Sequence, residues 1–135
     1  MGARDRFFAF SKTSGPGLTS IILSANDKKT MNALLVLSSF PDAETAHRIA
    51  RTLVEEQCAA CANLIPGAES IYWWKGVIET SVEVVAFFKT TDEQYPQLAT
   101  RLKELHPYEV PEIIAFTPSQ GHGDYLQWIT ANTGR

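Results

Sequence analysis

The segment from Val77 to Lys89 constrains the fold more than any other part of the chain. Its side chains alternate between two sets, one of which is polar near Val77 and apolar near Lys89. A period of two over this length predicts a β-strand well above the average of about 5–6 residues. A Lys75-Gly76 turn precedes it, and residues 69–74 before the turn form another predicted strand. We therefore expect the two strands to form a long central hairpin.

The length of this hairpin predicts self-association. Two short helices are too small to cover strands that run from residue 69 to residue 90, and the uncovered part carries neighbouring aromatic residues: Tyr72, Trp73 and Trp74. A small monomer rarely leaves such a group and an open strand edge in water. We therefore expect a neighbouring subunit to cover this part of the hairpin.

The remaining elements predict the fold class. An apolar run predicts a first strand buried on both faces, and apolar residues at helical spacing predict two helices. The order β-α-β-β-α-β-α is that of an α+β, ferredoxin-like βαββαβ sandwich with both helices on one face and an extra C-terminal helix. We expect the first helix to start at Pro41-Asp42 and to run to about Gln57, and the fourth strand to span Glu112 to Pro118.

Charge and composition divide the chain into two parts. Residues 1–32 are rich in Gly, Ser, Thr and Lys and carry five basic against two acidic residues, whereas the remainder carries seven against thirteen. We interpret residues 1–32 as a loose N-terminal extension and residues 33–135 as one domain. Because the domain is acidic, its electrostatic field repels a phosphate backbone, so nucleic acid is not an expected partner.

Other classes of protein are excluded by composition. With 44% hydrophobic and 20% charged residues the chain can bury a core, and no apolar run approaches the ~18–20 residues of a membrane span. The two cysteines are too few for a secreted disulfide scaffold. We expect a cytoplasmic protein without a membrane partner.

Few residues occur in a pattern that indicates a catalytic, redox or metal-binding role. Cys58 and Cys61 have C-x-x-C spacing, but the pair closes a helix instead of opening one, which favours a structural role over redox chemistry. His106 lies between a helix and a strand and could be either a hydrogen-bonded junction residue or a ligand. Glu79 and Glu83 share one strand face with Lys89 and could form a solvated face, an interface or a site with another chain.

Several stretches, in the same order along the chain, resemble the CutA family of divalent-cation tolerance proteins. They cover residues 33 to the C-terminus, about three quarters of the sequence, and leave residues 1–32 outside. The matching stretches are Pro41-Asp42, Ala59 to Gly67, Ser70 to Glu79, Glu83, Lys89-Thr90-Thr91, His106 to Ile113 and Tyr125 to Ile129.

The resemblance implies a homotrimer of ferredoxin-like subunits, with a role in tolerance of copper and other divalent cations and no enzymatic activity. It implies a binding cleft between subunits, formed by Trp74, Glu79, Glu83, Lys89, Tyr108 and Glu109. Thiolate and imidazole suit copper better than carboxylates do, so Cys61 and His106 are the expected metal ligands. Any copper or other divalent cation would bind weakly and would not be required for folding.

Two alternatives differ in class from this interpretation. A trimeric sensor or regulatory module could bind a small anionic metabolite in the same clefts between subunits. An enzyme of acylphosphatase-like fold would need an anion-binding loop with an arginine after the first strand. Residues 38–42 contain no arginine and include Asp42, so we set the enzyme aside.

Overall fold

The computed structural model describes residues 32–134. The predicted extension, residues 1–32, lies outside this part of the chain except for Asn32. The elements, in order, are β1 (Ala33–Phe40), α1 (Ala43–Glu55), β2 (Cys61–Trp74), β3 (Val77–Thr91), α2 (Tyr95–Leu105), β4 (Ile114–Phe116) and α3 (Gly123–Ala131).

The four strands form one antiparallel sheet in the order β2-β3-β1-β4. Helices α1 and α2 pack on one face of it, and their apolar residues form a single core with β1 and β3. The largest core side chains are fully buried: Phe40, Phe88, Ile49, Leu53, Leu98 and Leu102. This arrangement confirms the predicted α+β sandwich.

Helix α3 lies against the other face of the sheet. Its Ile129 packs with Ala33 and Ala60 in a second, smaller cluster. Because side chains alternate along a strand, Ala33 points away from Val36, which belongs to the main core. The extra helix therefore covers one end of the face that α1 and α2 leave open.

The first helix is shorter than predicted at both ends. Asp42 is the N-cap, and its carboxylate accepts a 2.8 Å hydrogen bond from the Thr45 N–H, so Pro41 precedes the helix instead of lying in its first turn. The helix ends at Glu55 instead of near Gln57, because Gln57 has a left-handed backbone with φ of 61°.

The fourth strand is also shorter than predicted. Only Ile114–Phe116 pair with β1, opposite residues 35–37, whereas the prediction was Glu112 to Pro118. Glu112 instead accepts a 3.2 Å hydrogen bond from the Ser39 hydroxyl. Its side chain therefore anchors the loop before β4 to the end of β1.

The central hairpin extends well beyond the rest of the sheet. The pairing of β3 with β1 ends at Phe40 and Val84, so residues 66–83, the hairpin overhang, have no third strand beside them. Lys75 and Gly76 form its turn, and both have positive φ (52° and 80°), as hairpin turns that match strand twist require. The overhang exposes large apolar side chains, including 71% of Trp73.

Within residues 32–134, the helices are all too short or too polar to cross a membrane.

Candidate ligand cleft

A cleft of about 760 Å³ lies where the overhang meets the loop that joins α2 to β4 (residues 106–113). One wall comes from the overhang, the other from the loop, and the end of β1 lies between them. We call it the acidic cleft. Its lining residues are Ser39, Pro41, Tyr72, Trp74, Glu79, Ser81, Val82, Glu83, Pro107, Tyr108, Glu109, Val110 and Glu112.

The register of the hairpin builds the first wall. Tyr72 pairs with Glu79, and Trp74 pairs with Val77, so the two aromatic residues and Glu79 share a face of the hairpin. The Tyr72 hydroxyl lies 3.3 Å from the Ser81 hydroxyl on the same face. Because the Lys75-Gly76 turn fixes this register, local sequence alone places two aromatic rings beside a carboxylate.

His106 attaches the loop to the end of β1. Its Nε2–H donates a 2.7 Å hydrogen bond to the Ser39 carbonyl oxygen, and its Nδ1 accepts a 3.1 Å bond from the Tyr108 N–H. The ring stacks on Phe40, with centroids 4.7 Å apart. Burial is the main cause of a lowered pKa for His106, so the neutral ring is favoured.

Tyr108 connects the two walls of the cleft. Its hydroxyl donates a 2.5 Å hydrogen bond to Glu83 Oε2 on β3. Burial, together with this bond and the nearby carboxylate charge, raises the pKa of Tyr108 well above its usual range. Tyr108 therefore stays protonated and holds the half-buried Glu83 carboxylate at a fixed position.

The charge of the cleft has one sign. Four carboxylate residues line it, namely Glu79, Glu83, Glu109 and Glu112, and none of the described lining residues is a lysine, arginine or histidine. Such a lining attracts cations and repels anions. Three aromatic residues and two prolines are among the other lining residues.

The acidic cleft brings together five of the six residues that the resemblance implied for a binding cleft. These are Trp74, Glu79, Glu83, Tyr108 and Glu109. Lys89 does not line the cleft: its Nζ donates a 2.7 Å hydrogen bond to Asn63 Oδ1 and lies 5.7 Å from the centre of the Tyr125 ring.

The structure does not bring the two expected metal ligands together. Cys61 pairs with Lys89, whereas His106 bonds to Ser39, which pairs with Val85. Four residues along β3 separate these positions, or about 13 Å. Both ring nitrogens of His106 are already used, so that side chain has no free lone pair for a metal without rearrangement.

Within residues 32–134, no three or more His, Cys, Asp or Glu side chains converge in a group that could hold a metal ion. Both cysteines are free thiols. Cys58 belongs to the main core and burial raises the pKa of its thiol, whereas Cys61 lies on the opposite sheet face, so their side chains point apart. This supports the structural interpretation of the C-x-x-C pair.

Sequence reasoning missed four polar residues of the cleft: Ser39, Tyr72, Ser81 and Glu112. Tyr72 could have been found, since it lies two residues before Trp74 and the turn defines its partner. Ser39 and Glu112 are 73 residues apart, and no local pattern relates them.

The chain is similar in sequence to proteins of one known family. The model of the CutA1 divalent ion tolerance protein family matches residues 34–132. A relative from Thermus thermophilus, the divalent-cation tolerance protein CutA, is 46% identical over 100 residues, which cover 74% of this chain and 97% of that protein.

Solved structures agree with the sequence match. The divalent cation tolerance protein (Cut A1) from Thermus thermophilus has a TM-score of 0.74 at 45% identity, covering 76% of this chain and 99% of that one. The periplasmic divalent cation tolerance protein CutA from Archaeoglobus fulgidus has a TM-score of 0.72 at 33% identity, covering 74% and 97%. In sequence and in structure, the chain thus belongs to the CutA1 family of divalent ion tolerance proteins.

Proposed function

We propose that this protein acts as a homotrimer in the response to metal ions and binds copper or other divalent cations weakly at its acidic cleft. The observation that carries the proposal is the single sign of charge in that cleft, where four glutamates meet no described basic side chain. Its relatives carry names that refer to divalent-cation tolerance and not to an enzymatic reaction. In line with these names, we propose a role in binding and not in catalysis.

Weak binding follows from the arrangement of the ligands. The carboxylates lie along the walls of the cleft, and no three metal-ligating groups converge within the described chain. A cation bound here would keep most of its water, as hard divalent cations commonly do. A neighbouring subunit would have to add ligands to make a tighter site.

The copper ligands Cys61 and His106 are a separate part of the proposal. Since these residues lie apart, each would need ligands from another subunit. Cys61 is the better candidate of the two, because it is half-buried, forms no disulfide and has one side-chain partner, Tyr125, to release. His106 would first have to release one of its two hydrogen bonds.

The trimer is supported by the hairpin overhang. Three exposed aromatic side chains and an unpaired edge of β3 occur on the same segment, which a neighbouring subunit would cover. A ring of three closes such a contact without leaving a free edge. We also propose a cytoplasmic location, on the ground that two cysteines are too few for a secreted disulfide scaffold.

Calorimetric titration of the full chain tests this function. We expect heat of binding with Cu²⁺ and Zn²⁺ and none with phosphate or citrate. The double variant Glu79→Gln/Glu83→Gln should weaken the metal isotherm, whereas Glu44→Gln/Glu55→Gln, which removes two charges from exposed positions on α1, should not. Heat with the anions alone would overturn the proposal and favour the anion sensor. Cys61→Ser should weaken only the copper isotherm.

A further inference from the structure

We propose that the acidic cleft is a site for organic cations, and that its preferred ligand class is the linear aliphatic polyamine. This inference rests on the proposed cation-binding role of the cleft and deepens it by naming a ligand class. It is carried by the combination of size, aromatic walls and spaced carboxylates in one cavity.

The size of the cleft exceeds what a metal ion requires. At about 760 Å³ it lies within the range of roughly 300–1,000 Å³ that is typical of pockets for small organic molecules. An ion bound by a few oxygen ligands at about 2–2.6 Å would leave most of this volume unfilled. In a single chain the cleft therefore has room for a ligand with an extended carbon skeleton, and a neighbouring subunit that covers the overhang would border the same cleft.

The carboxylates are spaced and do not converge. Glu79 and Glu83 lie on one face of β3 four residues apart, about 13 Å along the strand. The loop contributes Glu109 and Glu112 from the opposite side. One metal ion cannot contact groups placed in this way, whereas a flexible chain with several ammonium groups can pair with them one at a time.

Aromatic faces supply the second kind of contact. Tyr72, Trp74 and Tyr108 all line the cleft, and the first two are only partly exposed, at 41% and 46%. An ammonium group over an aromatic ring is attracted by the ring quadrupole, and methylene groups pack against the same rings. A hydrated metal ion gains little from such walls.

The chain itself shows that one of these rings accepts an ammonium group. The Lys75 Nζ lies over the Trp74 ring, 5.6 Å from its centre. This ammonium comes from the turn of the same hairpin. A bound polyamine would place a second ammonium beside the same ring, so Lys75 is a resident competitor for it.

Calorimetry of the full chain with spermidine tests the inference, with Mg²⁺ at equal ionic strength as the control for charge alone. Spermidine should give a saturable isotherm that Trp74→Leu weakens severalfold, as expected for loss of a cation–π contact at a partly exposed ring. The matched control is Phe116→Leu, at a half-exposed position on β4 that does not line the cleft, which should leave the spermidine affinity unchanged. The oligomeric state of each variant is measured in the same samples.

A further variant removes the Lys75 ammonium group that competes for the Trp74 ring. Lys75→Asn removes the resident ammonium, and asparagine tolerates the left-handed backbone at this position. It should tighten spermidine binding severalfold, and no tightening would contradict the assignment of the Trp74 face. Absence of a saturable spermidine isotherm, or equal weakening by Trp74→Leu and Phe116→Leu, would overturn the inference.

The outcomes separate this inference from the proposed function. If Cu²⁺ and Zn²⁺ bind and spermidine does not, the polyamine inference fails and the metal-binding role stands. If spermidine binds with the expected Trp74 dependence and no metal binds, the inference stands and the metal-binding role fails. If neither binds, both are wrong.

Discussion

Strands β2 and β3 run through two regions: the body of the sheet, which the helices cover, and the hairpin overhang. The two regions differ in how their apolar side chains are buried. From Val84 to Phe88, β3 lies beside β1 and beneath two helices, and its inward side chains are buried. In residues 66–83 the two strands pair only with each other, with no third strand beside them and no helix over them, and Trp73 is 71% exposed. The body is stabilised within one chain, whereas the overhang can bury its apolar surface only against another molecule.

This difference explains where a ligand cavity can form in a small α+β sandwich. A covered sheet has no room for a ligand, because its interior is packed with side chains. The acidic cleft forms where the cover ends, between the overhang and the loop that follows α2. The same feature that exposes apolar surface therefore also creates the cavity.

The largest expected effect is in the covered body. Phe40→Ala removes a fully buried ring that also stacks on His106, and it should lower the free energy of unfolding by about 3–5 kcal/mol. Phe116→Ala, at a half-exposed position in β4, is the matched control and should cost far less. Urea unfolding measures both, and equal losses would contradict the distinction between covered and uncovered strands.

The second largest expected effect is a loss of subunit association when an aromatic residue of the overhang is replaced. Trp73→Ser should weaken association by about 2 kcal/mol, since exposed aromatic residues are common interface anchors. Secondary structure should be unchanged, because the side chain packs little within its own chain. Sedimentation at several concentrations measures the change, with Lys103→Ser on the exposed side of α2 as control. If the two variants associate equally well, the overhang is not the interface.

A third effect lies at the boundary between the two regions. Tyr108→Phe removes the hydrogen bond to Glu83 and should cost about 1.5 kcal/mol of stability, as expected for a bond to a charged acceptor. Tyr72→Phe removes a longer, exposed hydroxyl contact with Ser81 and should cost less. Chemical denaturation of both variants checks the order, and the reverse order would contradict the role of Tyr108 in connecting the walls.

The smallest effect is a dependence on pH. Because His106 has a lowered pKa in the folded chain, the unfolded chain takes up a proton first as pH falls through about 6.5. The contribution to stability is therefore complete above about pH 6.5 and is lost progressively below it. Unfolding measured at about pH 7.5 and about pH 5.5 should show a loss in the parent chain.

Two variants test whether His106 causes this pH dependence of stability. His106→Gln should flatten the pH dependence between these two conditions, whereas His47→Gln, at an exposed position on α1, should not. If His106→Gln keeps the full loss of stability on acidification, another group is responsible.

Much of the fold was predictable because its signals are local. The alternation that ends at Lys89, the Lys75-Gly76 turn and the apolar run of β1 each define an element within a few residues. The position of Lys89 was not predictable in the same way. It shares a strand face with Glu83, but six residues of β3 separate them by about 20 Å within one chain, so Lys89 could join that site only from a neighbouring subunit.

The loop wall of the cleft depends on contacts that no local pattern encodes. His106 bonds to Ser39, 67 residues away, and Tyr108 reaches Glu83 across 25 residues. The resemblance pointed to His106, Tyr108 and Glu83 but not to Ser39, and which residues bond to each other appears only once the chain is folded. Whether Cys61 and His106 hold copper stays a prediction.

The mass of the protein in solution tests the central claim most directly, since the overhang is explained here as surface that a second and a third copy cover. Size exclusion coupled to light scattering should give about 45 kDa at micromolar concentration, three times the 15.0 kDa of one chain. A mass of one chain under the same conditions would contradict the account.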